Sequence, residues 1–241
     1  MNTVDTLIIS YFNSYAHISQ HFDFLIWEIS ENHFLKGAIP ISLLWFFWFN
    51  YTKGNNEPGL PLIRKKVMLT LLSCLAAIFI GRFLALTLPF RPRPIQNIGL
   101  HFVIPYGLGY RSFGGMSSFP SDHATFMFSL ATGIWLIAKK IGAATVFYVI
   151  LVVLLPRIYL GLHYPTDIFA GAVIGILITL ILHKNNTINT LVVTPLIAWS
   201  EKYPALFYML FFLTTFEMAS IFDDIRILYH VTMQIITASV G

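Results

Sequence analysis

Val67-Met-Leu-Thr-Leu-Leu-Ser-Cys-Leu-Ala-Ala-Ile-Phe-Ile-Gly-Arg82-Phe-Leu-Ala-Leu-Thr-Leu88 carries a single charge, Arg82, in an otherwise apolar run. A helix that crosses a bilayer needs about 20 mostly apolar residues, and this run is long enough. Five more runs are of similar character: Leu35–Tyr51, Asp122–Ala138, Gly142–Gly161, Thr166–His183 and Tyr203–Phe222. The composition agrees: of 241 residues 56% are hydrophobic and 11% charged, against about 25% charged in a soluble domain. The sequence therefore predicts an all-α fold, a polytopic membrane helix bundle with about six transmembrane helices. Leu7–Ile29 is also apolar but is interrupted by His17, His21, Asp23 and Glu28, which predicts one or two helices lying at the interface. The expected organisation is an interfacial segment at 1–34, a transmembrane domain at 35–222 and a second interfacial segment at 223–241.

The loops between these runs set the orientation. The first holds Lys53, Glu57, Arg64, Lys65 and Lys66, the third Lys139 and Lys140, and the fifth Lys184, Glu201 and Lys202. The segment before Phe34 holds four acids and no lysine or arginine. The positive-inside rule makes the three basic loops cytoplasmic. Seven of the eight lysines follow that rule, whereas Arg82, Arg91, Arg93, Arg111 and Arg157, five of the seven arginines, do not. Arginine is a planar fork that grips phosphate in a bidentate way, so arginines on the outer side point to a bound anion. The net charge of +4 sorts by membrane side and implies no nucleic-acid partner. Met1–Ser10 lacks the basic region and cleavage site of a signal peptide. Cys74, the one cysteine, is expected to serve packing.

Three segments converge on the expected outer side. In the first, Arg82 and the Arg91-Pro92-Arg93-Pro94 steps close the second span, and each proline holds the arginine before it extended. The second, Ser118-Phe119-Pro120-Ser121-Asp122-His123, opens the third span, with Ser121 in the N-cap region and Asp122 in the first turn. Backbone N–H groups at such a terminus bind anions. The third is Arg157-x5-His163-x3-Asp167, where Pro165 suits the first turn of the fifth span. There a carboxylate on one imidazole nitrogen would leave the other free to attack. Gly171-x3-Gly175 with Ala170 and Ala172 is read as helix packing. His101, Tyr110 and Arg111 are read as loop surface, Asp223 and Asp224 as solvated, and 225–236 as an interfacial helix.

Arg93-Pro94, Pro120-Ser121-Asp122-His123 and Arg157-x5-His163-x3-Asp167 resemble the three signature segments of the type 2 phosphatidic acid phosphatase superfamily. The resemblance covers about Arg82 to Gly175. It implies that His163 is a nucleophile forming a phosphohistidine, that Asp167 orients it and that His123 is the general acid. It further implies that Arg157, Ser121 and the first-segment arginines cradle phosphate with no metal or other cofactor. The sequence departs from the pattern three times. Leu86 stands where a lysine is usual, with Arg82 one turn earlier able to substitute; Asp122 replaces a common glycine, as in the family's undecaprenyl pyrophosphate phosphatases; and Pro156 replaces a serine. The expected substrate-binding set is thus Arg82, Arg91, Arg93, Ser121, Asp122 and Arg157, with the share of the first three left open. The implied partners are the bilayer and a membrane lipid carrying a phosphate or pyrophosphate. The implied location is a bacterial plasma membrane with the site on the periplasmic or extracellular side. Alternatives are a phosphotransferase between lipids and an anion-selective transporter.

Overall fold

The structure, a computed structural model, describes residues 2–50, 60–108 and 117–222. Among them every regular element is a helix. These are α1 (Thr3–Asn13), α2 (Gln20–Glu31), α3 (Phe34–Phe49), α4 (Leu60–Thr87), α5 (Asp122–Ile137), α6 (Lys139–Tyr159), α7 (Pro165–Lys184), α8 (residues 186–202) and α9 (Pro204–Ala219). Glu57, Lys53, Tyr110, Arg111, Asp223, Asp224 and the expected C-terminal helix lie outside the described residues.

All six expected spans are helical, but they differ in reach. Pro61–Thr87, Lys139–Tyr159 and Pro165–Lys184 are long and apolar enough to cross a membrane. Phe34–Phe49 and Pro204–Ala219 are apolar but shorter, and Asp122–Ile137 has 16 residues. At about 1.5 Å per residue a 16-residue helix rises about 24 Å, less than the ~30 Å hydrocarbon core. The short central helix has a physical reason: α5 is enclosed by α4, α6 and α7, with Phe126, Met127, Leu130, Ala131 and Ile134 fully buried. A helix covered by protein over most of its length has little lipid surface to match, and Trp135 near its end is its exposed residue. The stretch around Lys184–Lys202, read from sequence as a loop, is a helix with a π-turn at Asn189–Val193, and it buries Val193 in the core.

Small residues bring α7 onto α5. A Cβ on Gly175 would lie 2.2 Å from the Thr125 carbonyl oxygen, and one on Gly171 would lie 2.6 Å from that of Ser121. Ser129 and Thr179 close the same seam with hydroxyls 2.8 Å apart, in keeping with the polar and small contacts of membrane helix pairs. The α3–α9 contact is aromatic: Trp48 stacks on Phe207, and its N–H donates to the Tyr208 hydroxyl at 3.0 Å. Cys74 is buried in the core, the packing role expected of it.

The two ends of the bundle differ in chemistry. At one end Lys66 donates to the Leu136 carbonyl at 2.8 Å, joining the start of α4 to the end of α5. Lys139 and Lys184 mark the adjoining helix ends. Arg82, Arg91, Arg93 and Arg157 gather at the other end. The N-terminal stretch forms two helices, and both pack onto this arginine end, α1 through Ile9 against Ile158 and Tyr164. Asp23 on α2 is buried and accepts from the Tyr159 hydroxyl and from the backbone N–H groups of His17 (3.1 Å) and Tyr106 (3.0 Å).

Candidate active site

The start of α5 is fixed by its cap. The Ser121 hydroxyl accepts from the Ala124 N–H, and the Ser121 N–H donates to the Asp167 carbonyl at 3.1 Å, tying the starts of α5 and α7 together. His123 follows in the first turn. Arg157 Nη2 lies 3.1 Å from His123 Nε2. A guanidinium only donates, so Nε2 is the acceptor and His123 is here a neutral imidazole with its proton on Nδ1. Arg157 is also held by the Ser30 carbonyl at 2.7 Å and by Glu31 at 3.5 Å.

Arg157 sits where α6 changes pitch. Val149–Leu154 is a π-turn, and Pro156 lies two residues beyond its end. Proline lacks an N–H and clashes with the carbonyl four residues back, so the wider turn accommodates it. The chain then turns through Gly161 at φ +66 and places His163, which is buried. Its Nδ1 lies 2.9 Å from the Ser118 carbonyl oxygen and 3.8 Å from Asp167 Oδ2. A carbonyl can only accept, so Nδ1 carries the proton and Nε2 keeps its lone pair. The Ser118 carbonyl, rather than the Asp167 carboxylate, makes the shorter contact. Burial pushes the His163 pKa below the ordinary histidine value; Arg93 adds to this, while Asp167 and Asp122 oppose it.

Asp167 is wholly buried and caps α7 by accepting the Tyr164 N–H at 2.8 Å. Its other oxygen accepts from Arg91 Nη1 at 2.5 Å. Arg91 therefore faces carboxylates: its Nη2 donates to Asp5 at 2.7 Å, and its plane lies 4.1 Å over the Tyr164 ring. Arg93 donates to the Leu162 carbonyl at 3.0 Å. Burial lowers its pKa to about 10, repulsion from Arg157 and Arg82 adding to that and Asp122 acting against it, so it stays cationic at neutral pH. Arg82 pairs with Asp122 at 2.8 Å beside a cavity of about 200 Å³ lined also by Ile78, Ile221 and Phe222. A larger apolar groove of about 270 Å³ runs down the α6–α7 seam and starts at Ile158 and Pro165, neighbours of Arg157 and His163.

All nine residues singled out from the sequence thus gather at one end of the bundle. They share it with an N-capped helix start, two imidazoles and a group of guanidiniums. The sequence model of the PAP2 superfamily matches residues 66–191, more than half of the chain, and takes in every one of these nine. The chain belongs to the PAP2 superfamily.

Among PAP2-related proteins, the undecaprenyl-diphosphatase BcrC of Bacillus subtilis strain 168 is 27% identical over 163 residues, 68% of this chain and 74% of that one. The lipid A 4'-phosphatase of Porphyromonas gingivalis is 31% identical over 149 residues, 61% and 59% of the two chains. A Bacillus licheniformis protein named bacitracin transport permease protein BcrC is 43% identical over 61 residues, 25% and 30% of the two chains. No solved structure matches the chain. Among the described residues no group of three or more His, Cys, Asp or Glu could hold a metal ion.

The PAP2 segments do not exhaust the site. Asp5, Ser30, Glu31 and the Ser118 carbonyl also touch its residues. The one sequence signal for them was the excess of acids before Phe34, which the charge count used only for orientation.

Proposed function

We propose that this protein is a phosphatase that removes phosphate from a membrane lipid phosphate or diphosphate, with an undecaprenyl-diphosphate-like isoprenoid lipid as first choice. The reaction runs through a phosphohistidine on His163, at the extracytoplasmic ends of a bundle that crosses the membrane six times. The observation that carries the reading is the pair of imidazoles: His163 with Nδ1 on the Ser118 carbonyl, and His123 with Nε2 on Arg157.

Arg93, Arg157 and Arg82 take the phosphoryl oxygens in this reading, while Arg91 stays with its two carboxylates. Phosphoryl transfer depends mainly on positioning and charge stabilisation, and no metal is called for. As Arg157 swings onto phosphate, His123 Nε2 becomes available to bind a proton. His163 Nε2 forms the P–N bond while the P–O bond to the lipid-borne oxygen breaks, and His123 gives that oxygen its proton. His123 then takes a proton from water as the water oxygen attacks phosphorus, releasing inorganic phosphate and neutral His163. The lipid chain lies along the apolar α6–α7 groove, whose lining includes Ile158 and Pro165, close in sequence to Arg157 and His163. Two of the relatives carry names of lipid phosphatases, which supports the class of substrate.

The test is phosphate release by purified protein from undecaprenyl diphosphate and phosphatidic acid, in detergent, with and without His163→Ala. Release by the wild type and none by the variant is expected. A folded variant with near-normal turnover would remove the reading. A transporter, the activity in one relative's name, would instead move an anion across liposomes and release no phosphate.

A further inference from the structure

Helix α1 contributes nothing to the chemistry above, yet its Asp5 is wired into it. Asp5 is completely buried. Its Oδ2 accepts from Arg91 Nη2 at 2.7 Å and from the Thr166 hydroxyl at 2.6 Å, and its Oδ1 from the Thr166 N–H at 3.0 Å. The other branch of the same guanidinium, Nη1, donates to Asp167 at 2.5 Å and to the Thr166 hydroxyl at 2.9 Å. One cation is therefore shared between two buried carboxylates, Asp5 and Asp167, that lie far apart in the sequence.

We infer that Asp5 is a positioning residue for the nucleophile: by taking one branch of Arg91 it leaves Asp167 with an uncompensated negative charge beside His163. The inference rests on the reading of His163 as nucleophile. A buried carboxylate with no cation is costly, so Asp167 needs Arg91. A simple one-to-one pair would be neutral and would offer little to an imidazole that gains positive charge as it bonds to phosphorus. The second acid resolves the conflict, because every carboxylate oxygen of the Asp5–Arg91–Asp167 group accepts a hydrogen bond and the group carries net −1. Fixed charge of that sign where positive charge develops lowers the barrier. The other charged groups facing His163 are Asp122 at the start of α5 and Arg93 from the segment after α4, and Asp5→Asn touches neither.

The experiment compares wild type, Asp5→Asn and the double variant Asp5→Asn/Arg91→Gln, which restores net −1. In Asp5→Asn, kcat falls about tenfold, the effect of one pKa unit of lost interaction, while KM stays within about twofold because the phosphate contacts remain. The acid limb of the kcat/KM profile moves to lower pH. A readout free of turnover is the titration of the His163 ring by ¹⁵N NMR in detergent, assigned by its loss in His163→Gln. Its midpoint falls in Asp5→Asn and returns to the wild-type value in the double variant. If the single variant does not fold, Arg91→Gln and the double variant decide together: a midpoint that rises in Arg91→Gln, where the group carries net −2, and returns in the double variant supports the charge balance, and one that is the same in both overturns it. Wild-type kcat and an unmoved midpoint in Asp5→Asn overturn the inference. A wild type that releases no phosphate sinks the phosphatase reading instead, and the NMR result still decides the role of Asp5.

Discussion

Gly171→Ala adds one methyl group at a residue with no proposed chemical role, yet the structure expects it to cost most of the activity. The new Cβ would lie 2.6 Å from the Ser121 carbonyl oxygen, 2.9 Å from Thr125 Oγ1 and 3.0 Å from Ala124 Cβ. Ordinary contact begins at 3.4 Å, so the two helix starts must part by 3.4 − 2.6 = 0.8 Å. The obstacle is backbone, so no side-chain rotation relieves it. Ser121 caps α5 and His123 lies two residues on, so the shift moves His123 relative to His163 on the α7 side. A misplacement of about 1 Å in a catalytic constellation costs on the order of 10²-fold in rate, and overpacking of this kind costs about 1–3 kcal/mol of stability. The assay is phosphate release in detergent with a thermal melt on the same sample. Gly81→Ala is the control, since its Cβ meets Thr125 only at 3.5 Å; it should keep kcat. A folded Gly171→Ala protein with kcat within about twofold of wild type would refute the reasoning.

Arg157→Lys replaces a fork that reaches Ser30, Glu31 and His123 with a single point charge; kcat/KM should fall by about 10²-fold, and a loss under about twofold would count against Arg157 in the cradle. His163 has its pKa lowered by burial, so it is neutral and competent above that value and protonated, hence inactive, below it. The acid limb of kcat/KM should therefore fall below the ordinary histidine value of about 6.5, and a limb above 7 would contradict this. Asp23→Asn keeps only one of the two buried oxygens that accept from the Tyr159 hydroxyl and from two backbone N–H groups, and sets a donor in place of the other; it should cost about 1–3 kcal/mol, seen as a lower Tm, while kcat of the folded protein stays close to wild type.

The parts of the molecule that repeat or sit at helix ends were legible in the sequence. Apolar length located the helices of all six expected spans, and the contrast of lysine with arginine separated the two ends of the bundle. The three short segments hold Arg82, Ser121, Asp122, His123, Arg157 and Asp167, which α4, α5, α6 and α7 carry to one end of the bundle. Long-range partners were not legible. Asp5 meets Thr166 161 positions away, and Ser30 meets Arg157 across 127; no local spacing encodes such a pair. Asp5 and Glu31 counted only as negative charge before Phe34, because the arginines that pair with them lie elsewhere in the chain. Backbone groups were equally hidden: any residue offers the carbonyl by which Ser118 holds His163. Helix 186–202 was missed because Lys184, Glu201 and Lys202 at its borders read as a loop, although Val193 anchors it in the core. The length of α5 was legible to within one residue, Asp122–Ala138 expected and Asp122–Ile137 observed, but its burial against α4, α6 and α7 was not.

The central claim is that phosphorus passes through His163 while His123 handles the proton. Rapid quenching of purified protein with lipid labelled by ³²P on the phosphate that leaves measures this directly. The account expects a base-stable, acid-labile phosphoenzyme that accumulates in His123→Ala, where water is no longer activated, and is absent in His163→Ala. A phosphoenzyme that survives His163→Ala, or full turnover by that variant, would contradict it.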